Sequence, residues 1–487
     1  MKRLVTLLLA AGIALGSAFG TANAVELKAK GSWQFGYIWH DMYHGKDDTF
    51  LAAQRLRPQF QFVASENLKA VLVFEIGYGN WGAKNGWAIG TDGANVKTKN
   101  AYLDWIVPET DVKVRMGLQP LGLPQFTFMQ PVLEKSNDMA GISVNVPFND
   151  LVGLSLFWAR PYNNYSVPHD AIDLFGLSVP FTGDGWKVTP YAMVGVVGED
   201  ALDGASANSA TDQFATNYYG SDVKRLVAGL APAGSLLNKN ASSYAGMNDD
   251  RGIGWWLGFG GELTLFDPFK IALDFVYGSI DMGDGIAWDG NKMDMKRRGW
   301  SVSALAQYKL DFVTPGIIFW YSSGDDSNPY DGSERLPFIY GRSVATNFGF
   351  DGGSYEASDT ARLSFQGSGM WGIGLRIDDI NYIENLKHNL RATYMRGTNS
   401  RGMATRGAVP SPFDTLRSSG YDGMYLTRGD QAWEFDFDTK YQIYKNLSAH
   451  LEMSYIHLDL KEAAWGKKVA DHNDNAWKVG VYMRYLF

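Results

Sequence analysis

From Leu27 to Trp39 the chain alternates with a period of two. The odd positions are Leu27, Ala29, Gly31, Trp33, Phe35, Tyr37 and Trp39, and between them stand Lys28, Lys30, Ser32, Gln34 and Gly36. Successive side chains of a strand point to opposite faces, so the run reads as one strand with an apolar and a polar face. The last segment repeats the pattern, with Trp477, Val479, Val481, Met483, Tyr485 and Phe487 against Lys478, Gly480, Tyr482 and Arg484. Leu56, Phe60 and Phe62 oppose Arg55, Arg57, Gln59 and Gln61, and Trp433, Phe435 and Phe437 oppose Glu434, Asp436 and Asp438. Strands of soluble sandwiches usually run ~5–6 residues. These runs continue for about 10–14 residues with aromatic ends, the length of a tilted bilayer crossing.

Ahead of the first strand, Lys2 and Arg3 precede an uncharged apolar run from Leu4 to Ala18. Ala22-Asn23-Ala24 then offers the small-x-small pattern that signal peptidase cuts. Residues 1–24 are therefore expected to be a removed signal peptide, and residues 25–487 a single domain working beyond the inner membrane. Without Lys2 and Arg3, 42 of the 44 basic residues remain against 52 acidic ones, a net charge of −10. After Ala24 no run of about 18 apolar residues follows, so a transmembrane helix is excluded. A closed barrel is the other structure that satisfies every backbone polar group in hydrocarbon. With no cysteine in the chain, disulfides, thiolate metal sites and cysteine nucleophiles are excluded. The acidic balance leaves no footprint for nucleic acid as a partner.

The connections alternate between short and long. Long ones are expected at 40–51, 79–97, 119–138, 199–252, 282–297, 324–360 and 397–430, the pattern of an outer-membrane barrel with short periplasmic turns and long external loops. The segments count to an all-β, transmembrane antiparallel barrel of 18 strands with both termini periplasmic. Sixteen is the alternative, because the stretches near 170–181 and 361–396 are the least regular.

Together with the ending Tyr485-Leu486-Phe487, these features resemble the trimeric outer-membrane porins of sulfate-reducing bacteria and, more loosely, the general porins. The resemblance runs through essentially the whole chain after Ala24. It is most specific at Val25–Trp39, at Arg55–Gly77 with the following Asn80-Trp81-Gly82, and at the C-terminus. It implies a homotrimer of water-filled barrels in the outer membrane of a Gram-negative bacterium, surrounded by lipid and lipopolysaccharide and passing small polar solutes and inorganic ions. It also implies that Tyr485 and Phe487 form the signal read by the barrel-assembly machinery. The third external loop of general porins folds into the lumen. The matching stretch here carries Gln119, Phe126, Phe128, Glu134, Lys135 and Asp138 as constriction residues.

A pore needs a polar lumen, a narrowing and a field. Strand parity places Lys28, Lys30, Arg55, Arg57, Lys113, Arg115, Arg376, Arg391, Lys478 and Arg484 as basic lumen residues. It places Glu75, Asp104, Glu262, Glu434, Asp436 and Asp438 as acidic ones. On the lipid face an Arg or Lys would cost ~2–4 kcal/mol at mid-membrane, so parity is enforced energetically. Strands one, two and eighteen are neighbours in a closed barrel, so Lys28, Lys30, Arg55, Arg57, Lys478 and Arg484 are expected to form one basic wall. A mild, sulfate-like anion preference and a balanced lumen both fit this set.

Chemistry beyond passage finds little support. No G-x-S-x-G nucleophile motif is present, so an outer-membrane barrel enzyme is a minor alternative and no catalytic residue is assigned. A substrate-specific channel with a saturable site is the nearer one. His40 and His44 lack the Glu of a metal-binding H-E-x-x-H helix, and no metal or other cofactor is expected. The acidic external loops offer at most loosely bound divalent cations.

Overall fold

The computed structural model describes residues 25–41, 49–81, 96–135, 137–163, 171–199, 201, 226, 228–237, 251–343, 345–346, 367–409, 425–471 and 475–487. The expected signal peptide, His44 and much of the proposed loops at 79–97, 199–252, 324–360 and 397–430 lie outside these residues.

The period-two segments form one closed antiparallel sheet. Its first six strands are β1 (Glu26–Asp41), β2 (Thr49–Ser65), β3 (Leu68–Asn80), β4 (Val96–Ile106), β5 (Lys113–Leu121) and β6 (Asn137–Pro147). The next six are β7 (Gly153–Asn163), β8 (Ala171–Ser178), β9 (Trp186–Val197), β10 (Gly252–Leu263), β11 (Phe269–Ile286) and β12 (Lys292–Tyr308). The last six are β13 (Thr314–Ser322), β14 (Met370–Ile383), β15 (Leu386–Gly397), β16 (Gln431–Tyr444), β17 (Leu447–Asp459) and β18 (Asn475–Leu486). Phe181–Gly183 continues β8 along the same neighbour, β9. Each strand pairs with the next, and β1 pairs with β18 from Ser32↔Leu486 to Asp41↔Trp477, closing an 18-stranded barrel. The irregular stretches near 170–181 and 361–396 hold β8, β14 and β15, so eighteen strands replace the alternative of sixteen.

Local chemistry sets the tight end. Asn67 donates its N–H to Ser65 Oγ at 3.3 Å, and Asn385 takes a φ of 65° between β14 and β15, a conformation that asparagine tolerates well. Glu26, where β1 begins, and Leu486, where β18 ends, lie at this short-turn end. At the other end three expected loop boundaries move. Strands β11 and β12 run on to Ile286 and from Lys292, leaving 287–291 of the stretch 282–297 as connection. Gln119 and Asp138 belong to the ends of β5 and β6 rather than to the third loop, which spans 122–136, and β1 reaches Asp41 while β2 starts at Thr49. Alternation continues past the apolar stretch in each case, so the ladder continues with it.

The two faces of the wall differ as parity requires. Leu257, Leu375 and Phe435 stand exposed outside, while Gln34, Arg55, Glu434 and Ser454 are buried inside. Outward aromatics gather near both ends: Phe266, Phe312, Tyr382 and Tyr444 by the short turns, and Trp39, Trp255 and Trp433 towards the long loops.

Candidate functional site

What fills the barrel decides what it can pass. The third loop leaves β5, crosses the interior and seats its tip on strands from the far side of the ring. The Asp274 carboxylate of β11 accepts the backbone N–H of Phe126 at 2.9 Å and that of Thr127 at 2.7 Å. Thr127 Oγ1 lies 2.6 Å from Ser303 Oγ of β12. From β14, the Arg376 guanidinium lies 4.0 Å from the centroid of the Phe128 ring and donates to the Ala345 carbonyl at 2.6 Å.

The connection between β13 and β14 lies alongside. Ile339 and Tyr340 donate to the Val132 carbonyl at 3.0 Å, and Glu134 donates to Tyr340 O at 2.9 Å. Met129–Gln130 and Arg342–Ser343 make a two-residue antiparallel ladder. The two loops thus form a septum across the barrel.

One side of that septum is dry. Leu123, Leu133, Leu174, Met193, Trp256, Val276, Leu230 and Ile339 form one buried apolar cluster between the loops and the inner faces of β8 to β11. The Trp256 indole N–H donates to Pro337 O at 2.8 Å. Arg297, fully buried, donates to the carbonyls of Ala228 at 2.7 Å and Ala231 at 3.2 Å and so ties in the connection between β9 and β10. A buried guanidinium is tolerated where carbonyls accept hydrogen bonds from its N–H groups.

Charged side chains line the other arc, β14 to β18 and β1 to β5, and a smaller group stands on β9 to β11. Consecutive cross-strand partners make one row: Arg376, Arg391, Asp436, Ser454, Lys478 and His40. Arg376 pairs with Asp378 at 3.0 Å and Arg391 with Asp438 at 3.1 Å. Glu434, Asp436 and Lys478 are buried in the same wall. Arg57 bonds Glu75 at 2.6 Å. Asp104 gathers three cations: Arg115 at 2.5 Å, Lys113 at 3.2 Å and Lys69 at 3.8 Å. Across the barrel Glu262 takes Lys270 at 2.9 Å and Lys187 at 3.8 Å.

The expected single basic wall is divided by register. Gln34 lies between Arg55 and Arg484 in the cross-strand row and accepts from Arg55 Nη2 at 2.6 Å, while Arg57 faces Ser32. Lys478 sits six residues further along β18, opposite His40. Lys28 and Lys30 precede Ser32, where pairing to β18 begins, and stand exposed at the short-turn rim, Lys28 beside Glu26 at 3.2 Å. Strand stagger, which any closed barrel needs, separates residues that sequence order brings together.

Of the expected constriction residues, Phe126, Phe128 and Glu134 lie on the crossing loop, and Lys135 stands exposed near its end with its ammonium on the Gln125 carbonyl. Gln119 is fully buried in the wall, donating to Gly141 O at 2.9 Å. Asp138 bonds Lys99 and, at 2.6 Å, Asn100. Tyr485 stacks on Phe487 at 5.8 Å beside the β1–β18 seam. Sequence reasoning missed Asp274, Ser303, Trp256 as a loop anchor, and Arg297. Parity alone assigns Asp274 inward, between outward Leu273 and Phe275, but its partner lies 148 residues away.

No family model and no curated protein matches this chain. Solved structures do match in fold. The outer membrane protein OprD from Pseudomonas aeruginosa aligns with a TM-score of 0.51 at 11% identity, covering 96% of this chain and 95% of its own. Pseudomonas aeruginosa OpdO gives 0.51 at 11% identity, over 95% and 98%. Acinetobacter baumannii OccAB3 gives 0.50 at 13%, over 95% and 100%. In architecture, then, this chain is a closed 18-stranded antiparallel barrel like that of the outer membrane protein OprD.

Proposed function

We propose that the protein is an outer-membrane porin, a water-filled barrel through which small hydrophilic solutes and ions diffuse passively. One observation carries the reading: outward residues such as Leu257, Leu375 and Phe435 make an apolar outer band, and the inner arc from β14 through β18 to β5 is charged. Such a wall is stable with hydrocarbon outside and water within. The export signal, the terminal aromatic residues and the likeness to porins of sulfate-reducing bacteria support placement in the outer membrane of a Gram-negative cell. They also support a homotrimer built by the barrel-assembly machinery among lipid and lipopolysaccharide.

The lining supports a mild anion preference. Near the short-turn end one carboxylate, Asp104, faces Lys69, Lys113 and Arg115, and another, Glu262, faces Lys187 and Lys270. Cations outnumber the acid in each of these two clusters, which favours anion entry.

Planar-bilayer recording in a salt gradient tests both statements. Stepwise currents with a reversal potential on the anion side are expected. A folded protein that inserts without conducting would refute the porin, and clear cation preference would refute the selectivity. The septum favours a second reading, a channel with a saturable substrate site, because it narrows the passage to one side. Saturable block of the ion current by one solute at low concentration would favour that reading.

A further inference from the structure

Within the porin reading, one acid stands apart from the charges of the open arc. Asp274 lies on the plugged side, nearly buried, and its listeners are the backbone N–H groups of Phe126 and Thr127 at 2.7–3.0 Å. A carboxylate is an acceptor only, and two adjacent amides of a loop tip are donors that otherwise would face water. Its neighbours complete a socket. On β10 its cross-strand partner is Gly260, and on β12 it is Ser303. A Cβ at Gly260 would collide with the Asp274 carboxylate and the Phe126 ring. Ser303 meets the Thr127 hydroxyl at 2.6 Å. Three consecutive strands thus present an absent side chain, an acceptor and a hydroxyl to a phenyl ring, two amides and a hydroxyl of the loop.

We propose that Asp274 is a positioning residue: it latches the tip of the third loop to the far wall and thereby fixes the width of the passage. The rest of the loop's anchorage acts on other groups: the Thr127 hydroxyl meets Ser303, and Leu123 and Leu133 pack into the apolar cluster. Arg376 holds Phe128 through its ring face, and the ladder at Met129–Gln130 ties the loop to another loop rather than to the wall. Removing the carboxylate leaves the two amides without their wall acceptor and frees the tip to move into the lumen.

The chain has no cysteine, which makes the test direct. Unitary current and open-level noise are recorded for the wild-type chain, for Asp274→Ala, and for Asp274→Ala combined with Thr127→Cys and Ser303→Cys. The neighbouring hydroxyls at 127 and 303 place the paired thiols within disulfide reach. Asp274→Ala is expected to shift the unitary level and raise its noise while the barrel keeps its heat-modifiable mobility. Oxidation of the triple variant is expected to restore the wild-type level, and reduction to abolish that restoration. A wild-type level and noise in Asp274→Ala would overturn the latch, as would failure of the 127–303 thiols to cross-link in an otherwise wild-type barrel. If Asp274→Ala does not fold, Gly260→Leu forces a side chain between the Asp274 carboxylate and the Phe126 ring, parts the same contact and is expected to give the same shift. A wild-type barrel without current sinks the porin reading alone. The latch is then read from cross-linking yield, which must fall when Asp274 is replaced.

Discussion

The Arg115 guanidinium grips the Asp104 carboxylate with two hydrogen bonds, Nε to Oδ1 at 2.5 Å and Nη2 to Oδ2 at 3.0 Å. Lys113 and Lys69 approach the same carboxylate, whose side chain is 5% exposed against 36% and 41% for theirs. The acid is the buried centre of a cluster whose cations reach towards the interior. Asp104→Asn keeps the shape and leaves three cations facing one another. A loss of about 1–3 kcal/mol is expected, between the values for exposed and buried pairs. The folded band on a denaturing gel should disappear at a lower temperature, and the reversal potential should move further to the anion side. An unchanged potential would show that this cluster does not set the field of the vestibule.

Trp256 is fully buried, and its indole ties the apolar cluster to Pro337. Trp256→Ala is expected to destabilise the barrel by about 3–5 kcal/mol through the cavity left behind. Trp256→Phe, which loses the hydrogen bond and part of the ring, should cost nearer 1 kcal/mol. Limited proteolysis would report the difference as faster cleavage near 336–340 in the alanine variant. Equal resistance in both would mean that the plug does not depend on this side chain.

The β1–β18 seam ends in reciprocal bonds, Gly31 N–H to Phe487 O at 2.7 Å and Phe487 N–H to Gly31 O at 3.1 Å. A Cβ at position 31 would lie 2.6 Å from the Phe487 ring and 2.7 Å from the Arg57 carbonyl. Gly31→Val should therefore impair closure, and the yield of heat-modifiable barrel should drop while export is unaffected. A normal yield would show that the seam tolerates a side chain there.

Acidity should tighten the loop that carries Glu334. Burial raises the affinity of this carboxyl for its proton, and Asp325, Asp326 and Asp331 add to the effect, against the Asp326 N–H that stabilises the charge. With the folded value above the ordinary one, its contribution to loop stability is complete below the ordinary carboxylate range and is lost as pH rises through the raised value. Protection of 323–340 from hydrogen exchange should increase as pH falls into that window, and Glu334→Gln should flatten the response at the protected level. Asp289 runs the opposite way, since the Tyr330 hydroxyl and the Asn291 N–H favour its charged form. Loss of protection on mild acidification would contradict the assignment to Glu334.

The wall was legible in the sequence because a period of two is a local property. Trp33 and Gln34 reveal their faces from their neighbours alone, as do Phe435 and Glu434. The interior was not, because its contacts join distant segments. Nothing near Asp274 announces the amides of Phe126 and Thr127, and nothing near Trp256 announces Pro337. Parity located charges without their levels, so Lys28 and Lys30 were grouped with Lys478, which the register sets at another height. Polar and glycine-rich composition hid the extensions of β11 and β12, where Asp284 still pairs with Asp294.

The central claim is a wall whose side chains face water and hydrocarbon in turn. In a chain free of cysteine, single thiols placed along β18 read that claim residue by residue. Cysteines at 478, 482 and 484 should react with a charged, water-soluble thiol reagent and reduce the current, whereas cysteines at 479, 481 and 483 should remain unreactive in the membrane. Reaction without that alternation, or at the odd positions instead, would contradict the barrel as a water-filled channel.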